Sequence, residues 1–437
     1  MKVGFVSLGC SKNLVDTEKT IDIFKKHGYD IVNNPKEAEI IVINTCGFIE
    51  TAKEEAINTI LEMAEYKKEN CKYIIAMGCL VQRYREELEK SLPEVDLFIK
   101  YDEYDTIWSQ IDNLINKDII HEKEEDIPFN KLQDRVITTG DNFAYVKIAD
   151  GCNNCCTFCA IPYIRGRFES RPMEDIIEEV KKLAKSGYKE IILIAQDTTK
   201  YGIDIYGKPK LAELLKKLCK IDGIKWIRFL YAYPETIDDK LIKVVKKNEK
   251  ICKYFDIPIQ HISDSVLKRM NRKSNSESIE LLIKKLREKI PNVIIRTTVM
   301  VGFPGETQED FEKLCNFVES AKFDKLGAFA YSKEEGTPAA KLKEQVHPMT
   351  KKARYNKIME IQQKVSEENL NKYIGKQLEV LVEGKTIDGK YYVCRSYMDV
   401  PDIDGLIYLN NSKELKIGDF VKCTIKSSIN EYDLLGE

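Results

Sequence analysis

The segment Gly151-Cys152-Asn153-Asn154-Cys155-Cys156-Thr157-Phe158-Cys159 carries the spacing C-x3-C-x2-C through Cys152, Cys156 and Cys159. Three thiolates can hold three irons of a four-iron cubane. The fourth iron then stays open to another ligand, which marks a chemical centre rather than a structural one. Cys155 admits a second parsing, as two abutting C-x-x-C pairs. A zinc ribbon separates its pairs by about 15 residues, so abutment disfavours zinc. Zinc and simple redox pairing remain the alternatives.

Cys10, Cys46 and Cys79 are far apart in the chain, yet each follows a short apolar run. The endings read Leu8-Gly9-Cys10, Asn44-Thr45-Cys46 and Met77-Gly78-Cys79. In an open parallel sheet the strand carboxyl ends line one edge, where three such thiols would converge. Gly9 and Gly78 allow close backbone approach. This reads as a second three-thiolate cluster site. The competing reading is three buried thiols in a core, a common fate for cysteine. Cys71, Cys219, Cys252, Cys315, Cys394 and Cys423 share no such placement. The four histidines are scattered, and no Ser–His–Asp or Cys–His arrangement emerges.

The elements that must position these thiols follow from pattern. Val3–Leu8, Ile40–Asn44 and Tyr73–Met77 are apolar and mostly β-branched, as buried parallel strands are. Helical patterns near 16–28 and 50–69 lie between them. Residues 1–115 therefore read as an α/β domain with an open parallel sheet. Residues 116–140, with the charged run His121 to Asp126, read as a linker. Strand patterns at 144–148, 190–195, 226–230, 254–257, 293–300 and 325–329 follow. Helical patterns at 173–186, 236–250, 276–290 and 307–321 come after several of them. These six units over 141–371 predict a partial (β/α) barrel, with the C-x3-C-x2-C loop at the carboxyl end of its first strand, where barrel active sites are built. A long polar helix at 350–372 leads to short strand-like segments over 372–437, a small all-β barrel.

A chain of 437 residues is too long for one core. Its 43% hydrophobic and 32% charged residues are those of a globular protein, and a net charge of −2 gives no global sign of nucleic-acid binding. Met1-Lys2 runs straight into a strand pattern, without signal-peptide grammar or a run long enough to span a bilayer. A cytoplasmic protein with no membrane association is expected. Thiols stay reduced there, so the 13 cysteines read as metal ligands or buried hydrophobes rather than disulfides.

The C-x3-C-x2-C motif with Phe158 before its last cysteine resembles the signature of the radical S-adenosylmethionine (SAM) superfamily. In that superfamily the open iron binds the amino and carboxylate groups of SAM, and reductive cleavage yields a 5′-deoxyadenosyl radical. Two three-cysteine sites with a C-terminal β domain resemble its methylthiotransferase family, which has an N-terminal methylthiotransferase domain, a radical SAM barrel and a TRAM domain. Further matching motifs are Ile161–Arg167, Ala195–Thr198, Pro258–His261 and Val301–Thr307. Cys155 departs from the family, which more often has a basic residue there. The resemblance implies two 4Fe-4S clusters, SAM and an external electron donor.

Gln196 and Asp197, ending a barrel strand, could hydrogen-bond SAM or merely cap the next segment. Gly302 and Glu306 belong to a turn suited to polar or anionic groups, or to a plain strand-to-helix connection. Arg165, Arg167 and Arg171 could meet carboxylates or form surface ion pairs. Ser7–Asp16 resembles the subgroup that modifies an aspartate β-carbon in small-subunit ribosomal protein twelve, as does Asp399–Gly405. The last 66 residues hold nine Lys/Arg against eleven Asp/Glu. Asp399, Asp402 and Asp404 among aromatic residues suit a basic protein partner better than a phosphate backbone. RNA contact is compatible with this reading but not required. The alternatives are a tRNA adenosine methylthiotransferase and a non-enzymatic two-cluster electron carrier, the latter leaving an open iron inside a barrel unexplained.

Overall fold

Five parallel strands form the N-terminal sheet: β1 (Lys2–Ser7), β2 (Asp30–Val32), β3 (Ile40–Thr45), β4 (Tyr73–Gly78) and β5 (Leu97–Ile99), in the order β2-β1-β3-β4-β5. The computed structural model describes residues 1–116, 128–132, 134–410 and 413–437, so the charged run expected as a linker lies outside the described residues. Helices α1 (Ser11–Lys26), α2 (Glu50–Ala64), α3 (Cys79–Ser91) and α4 (Ile107–Ile115) cover both sheet faces. Ile41, Ile43, Ile74 and Ala76 pack on one side with Ala56 and Ile60. Ile40, Val42, Ile75 and Met77 pack on the other with Phe24 and Ile107. Burial on both sides is why these strands are apolar runs and not alternating ones.

The register aligns Ser7 with Asn44 and Asn44 with Met77, so three strand ends lie level. The edge strands β2 and β5 have three residues each and carry little pattern of their own. The first helix starts at Ser11, earlier than its apolar periodicity suggests, because the chain turns into it directly at Cys10.

The second unit has the six expected parallel strands. In chain order it runs β6 (Phe143–Lys147), a short hairpin of β7 (Ala149–Asp150) with β8 (Glu169–Ser170), β9 (Glu190–Ile194), β10 (Trp226–Phe229), β11 (Tyr254–Gln260), β12 (Ile294–Val301) and β13 (Lys325–Ala330). The parallel trios β10-β9-β6 and β11-β12-β13 are joined where Ile227 N donates to Lys250 O and Ala232 N to Asp256 O. The result is an open partial barrel. Its outward face packs Ile191, Leu193, Phe255 and Ile295 against Val180, Leu214, Leu241, Leu286 and Leu314. A short helix between the cysteine loop and β8, α5 (Ile161–Arg165), was not legible as a helix in the sequence.

The helix Pro348–Asn371 leads into a closed barrel of β14 (Gln377–Lys385), β15 (Tyr392–Ser396), β16 (Ile407–Leu409), β17 (Phe420–Ser428) and β18 (Leu434–Gly436), in the order β14-β15-β16-β18-β17. It docks on the inward face of the partial barrel. Arg395 reaches Glu190 at 2.7 Å, and Glu190 also binds Arg228 at 2.9 Å.

Here the acidic segment expected to face a partner is corrected. Asp399 is buried against Lys325 at 2.9 Å. Asp404 accepts from Tyr254 Oη at 2.7 Å and lies 3.8 Å from Arg296. Two of the three acids thus hold the small barrel to the large one, and Asp402 alone is exposed. A buried cation across an interface attracts an acid as well as any external partner does, and residue counts cannot tell the two apart. Among the described residues no helix is long and apolar enough to cross a membrane.

Candidate active site

The level strand ends of the N-terminal sheet deliver Cys10, Cys46 and Cys79 to one crevice. Cys10 is the N-cap of α1 and Cys79 opens α3, so two of the three sulfurs sit at helix N-termini, which favour negative charge. A Cβ on Gly9, whose φ is +84°, would stand 2.9 Å from Cys46 Sγ. A Cβ on Gly47 would stand 2.6 Å from Leu80 Cα, so a glycine the sequence reading passed over brings the Cys46 turn against the start of α3. The thiols sense one another electrostatically. Burial pushes Cys79 up to about 11, with Cys10 and Cys46 adding to the rise and Arg165 opposing it. Desolvation by the surrounding protein also raises Cys10, but Lys12 and Arg165 bring it below the ordinary thiol value.

Asn13 ties this crevice together. Its Nδ2 donates to Leu8 O at 3.1 Å and Thr45 O at 3.0 Å, and its Oδ1 lies 3.4 Å from Cys79 Sγ.

The loop after β7 holds the other triad. Cys152 and Cys156 are buried, Cys159 is half-buried and Cys155 is exposed at φ +51°. Backbone N–H groups approach two of the sulfurs, Asn154 N at 3.5 Å from Cys152 Sγ and Ile161 N at 3.4 Å from Cys159 Sγ. Tyr233 Oη lies 3.6 Å and Arg272 Nη1 3.9 Å from Cys156 Sγ. Burial pushes Cys159 up to about 12. A bound cation would reverse such a shift, since the thiolate is the ligand. Phe158 anchors the loop edge-on against Phe303.

No three of the described His, Cys, Asp or Glu side chains close on one point as the ligands of a single ion would. A cubane binds each thiolate at a separate iron, and three thiols in a glycine-shaped cradle have the donor chemistry for it. Both triads fit that group.

The two triads adjoin. Helix α5 starts two residues after Cys159, and its Ile164 and the preceding Ala160 pack on Cys79. Arg165, at its end, places Nη2 3.7 Å from Cys79 Sγ and also reaches Asn13 Oδ1. Its Nη1 binds Asp16 at 2.7 Å and Asp150 at 3.1 Å. Lys147 pairs with the same two carboxylates at 2.5 and 2.6 Å, and Tyr101 Oη donates to Asp150 at 2.7 Å. Asp150 immediately precedes the cysteine loop and accepts from Gly151 N at 2.9 Å. Lys147 and Arg165 hold its carboxyl far below the usual range, against the burial that raises it. On the opposite rim, Arg83 and Lys53 both bind Glu334, just beyond β13, at 3.1 Å. The N-terminal domain thus bridges the first and last strands of the open barrel.

Gln196 donates to Asp150 at 2.9 Å, and its buried Oε1 has no partner. Asp197 caps the next turn through Thr199 N and accepts from Asn154 in the cysteine loop at 2.9 Å. Glu306 accepts from Gly302 N at 2.7 Å and Phe303 N at 3.2 Å and pairs with Arg354 at 2.7 Å. The anion held by that turn is the chain's own carboxylate. Arg171 binds Glu179, whereas Arg167 is exposed. Sequence reasoning gave no site role to Asn13, Asp150, Tyr233 or Arg272; the position of Asp150 shortly after β6 and of Tyr233 shortly after β10 was the available signal.

Residues 146–318 match the Radical SAM superfamily, residues 2–100 the uncharacterized protein family UPF0004, and residues 374–437 the TRAM domain. The ribosomal protein uS12 methylthiotransferase RimO of Alkaliphilus oremlandii is 61% identical, covering 100% of this chain and 99% of its own. The protein of that name from Lachnoclostridium phytofermentans is 50% identical over the same shares. The chain belongs to the RimO family. Its two thiol triads divide between the matched regions, Cys10, Cys46 and Cys79 in the first and Cys152, Cys156 and Cys159 in the second. The RimO-family fold also resembles TsrM of Kitasatospora setae, a radical SAM methyltransferase solved with cobalamin and a [4Fe-4S] cluster. The TM-score is 0.58 at 12% identity, covering 77% of this chain and 76% of that one.

Proposed function

We propose that this chain is a radical SAM methylthiotransferase that places a methylthio group on the β-carbon of an aspartate in ribosomal protein uS12. The observation that carries the reading is full-length identity of 61% to an enzyme of that name. Cys152, Cys156 and Cys159 would hold the 4Fe-4S cluster that binds SAM, and Cys10, Cys46 and Cys79 would hold a second 4Fe-4S cluster. When bound, these groups and an external electron donor supply the reducing electron, the hydrogen-abstracting radical and the sulfur-bound methyl; one SAM gives the methyl and another the radical.

The chain's residues bring these sites together. Asp150 and Arg165 lock the cysteine loop to the N-terminal crevice, so that a substrate carbon near one triad is near the other. Gln196, whose buried Oε1 is unpartnered, and Asp197, bound to Asn154 of the cysteine loop, would contact SAM. Glu306 shapes the Gly302 turn that closes the same barrel end. The enzyme acts in the cytoplasm, where ribosomal protein is made. Mass spectrometry of uS12 and of tRNA nucleosides from a deletion strain tests the reading: loss of the modification from uS12 supports it, and loss of methylthioadenosine from tRNA alone contradicts it.

A further inference from the structure

Lys12 is buried, with 7% of its surface exposed, and its ammonium stands 3.5 Å above the centroid of the Tyr231 ring. Its electrostatic neighbours are Tyr231, Cys10 and Arg165, and no carboxylate of the described residues pairs with it. That sets it apart from the other buried cations at this junction. Lys147 and Arg165 each bind Asp16 and Asp150. Arg135 binds Glu18 and Glu179. Lys19, on α1, makes no ion pair with the described residues either, but Glu179 and Asp16 act on it electrostatically and it donates to the Phe129 carbonyl at 3.0 Å. A buried ammonium with no carboxylate partner is costly, and binding a carboxylate there recovers part of that cost.

Its position gives that carboxylate a meaning. Lys12 lies two residues beyond Cys10, and Tyr231 lies two residues before Tyr233, whose hydroxyl is 3.6 Å from Cys156 Sγ. The Tyr231 backbone is fixed in the left-handed region at φ +59°, its N–H bound by Asp256 at 2.9 Å and its carbonyl by Thr198 N at 3.1 Å. Lys12 thus stands on a rigid aromatic platform between the two thiol triads. A carboxylate paired with it would hold the adjoining carbon in that same gap.

We propose that Lys12 is the specificity-determining residue that binds the carboxylate of the target aspartate, with Tyr231 as its platform. The inference rests on the uS12 reading and names the contact by which that site selects an acidic side chain. An adenine base offers this ammonium only neutral ring-nitrogen acceptors and no negative charge.

The test uses the full-length enzyme with both clusters reconstituted, and uS12 in two forms, with its target aspartate and with asparagine in that place. The wild-type enzyme should bind the aspartate form at least about 30-fold more tightly, the fold-change that corresponds to unpairing a buried charge. Lys12→Met should bring the aspartate form down to the affinity of the asparagine form, with iron content and the EPR signals of both clusters unchanged. Lys12→Arg, which keeps the charge, should retain part of the preference. An unchanged preference in Lys12→Met overturns the proposal, as does an equal loss for both forms. Loss of iron in Lys12→Met also overturns it, because the charge would then serve the cluster. A wild-type enzyme that binds neither form of uS12 would instead sink the substrate reading itself.

Discussion

The Arg165 guanidinium lies 3.7 Å from the Cys79 sulfur while its other nitrogen binds Asp16 and Asp150, so one side chain from the barrel's cysteine loop is built into the N-terminal crevice. The relationship joins two sites that the sequence places 86 residues apart. The barrel cannot turn against the N-terminal sheet without breaking a buried four-charge cluster.

Arg165→Met removes one cation and leaves Asp16 and Asp150 to Lys147 alone. The expected cost is about 3–5 kcal/mol, the range for breaking a buried pair on one side. Urea unfolding of the wild type and the variant measures it. A loss under about 1 kcal/mol would mean that water enters the cluster freely.

The two triads should titrate iron separately. The reconstituted wild type should carry about eight irons, and the Cys10, Cys46 and Cys79 triple alanine variant about four. Gly9→Ala should approach the same half-loading, because its new Cβ would press on Cys46 Sγ at 2.9 Å from a backbone that disfavours side chains. Cys155→Ser should keep full loading, since that side chain is exposed. Iron and sulfide analysis decides; full loading in the triple variant would remove the second cluster from the account.

The thiols were legible in the sequence because each sits at a strand end, and strand ends can be read from apolar β-branched runs. The six barrel strands were legible for the same reason. The cluster of Asp16, Lys147, Asp150 and Arg165 was not. Its members lie on α1, β6, β7 and α5, and an ion pair between distant segments leaves no period in any of them. Glu306 shows a local version of the limit. The turn at Gly302 does hold an anion, but the carboxylate is supplied four residues later by the chain itself. The acidic segment at 399–404 was misread because its partners, Lys325 and Arg296, belong to another domain.

That correction has its own consequence. Asp399→Lys should destabilise the docking of the small barrel by about 3 kcal/mol or more, by placing two cations together in a buried site. Asp402→Asn should change stability by no more than about 0.5 kcal/mol. Thermal unfolding with limited proteolysis around residues 372–376 reports both. Equal effects from the two variants would contradict the assigned roles.

His261 makes stability depend on pH. Burial holds its ring down to about 4 from an ordinary 6.5. The unfolded chain takes up that proton near pH 6.5, whereas the folded site resists it to about pH 4. The contribution is therefore complete above pH 6.5 and is lost as pH falls toward 4, by up to about 3 kcal/mol. His261→Asn keeps an acceptor for Ser263 N, which now donates to Nδ1 at 2.9 Å. It should flatten the decline between pH 6.5 and 4.5 in urea titrations. An undiminished decline would assign the pH dependence to other groups.

On the proposed reading, the enzyme takes hydrogen from a uS12 aspartate β-carbon and returns a methylthio group to it. Reconstituted enzyme, SAM, a reductant and uS12 deuterated at its aspartate β-carbons test this directly, with mass spectrometry of both products. Deuterium in the 5′-deoxyadenosine and a single methylthio group on the uS12 aspartate are the expected products. Unlabelled 5′-deoxyadenosine with unmodified uS12, while tRNA added to the same reaction gains methylthioadenosine, would contradict it.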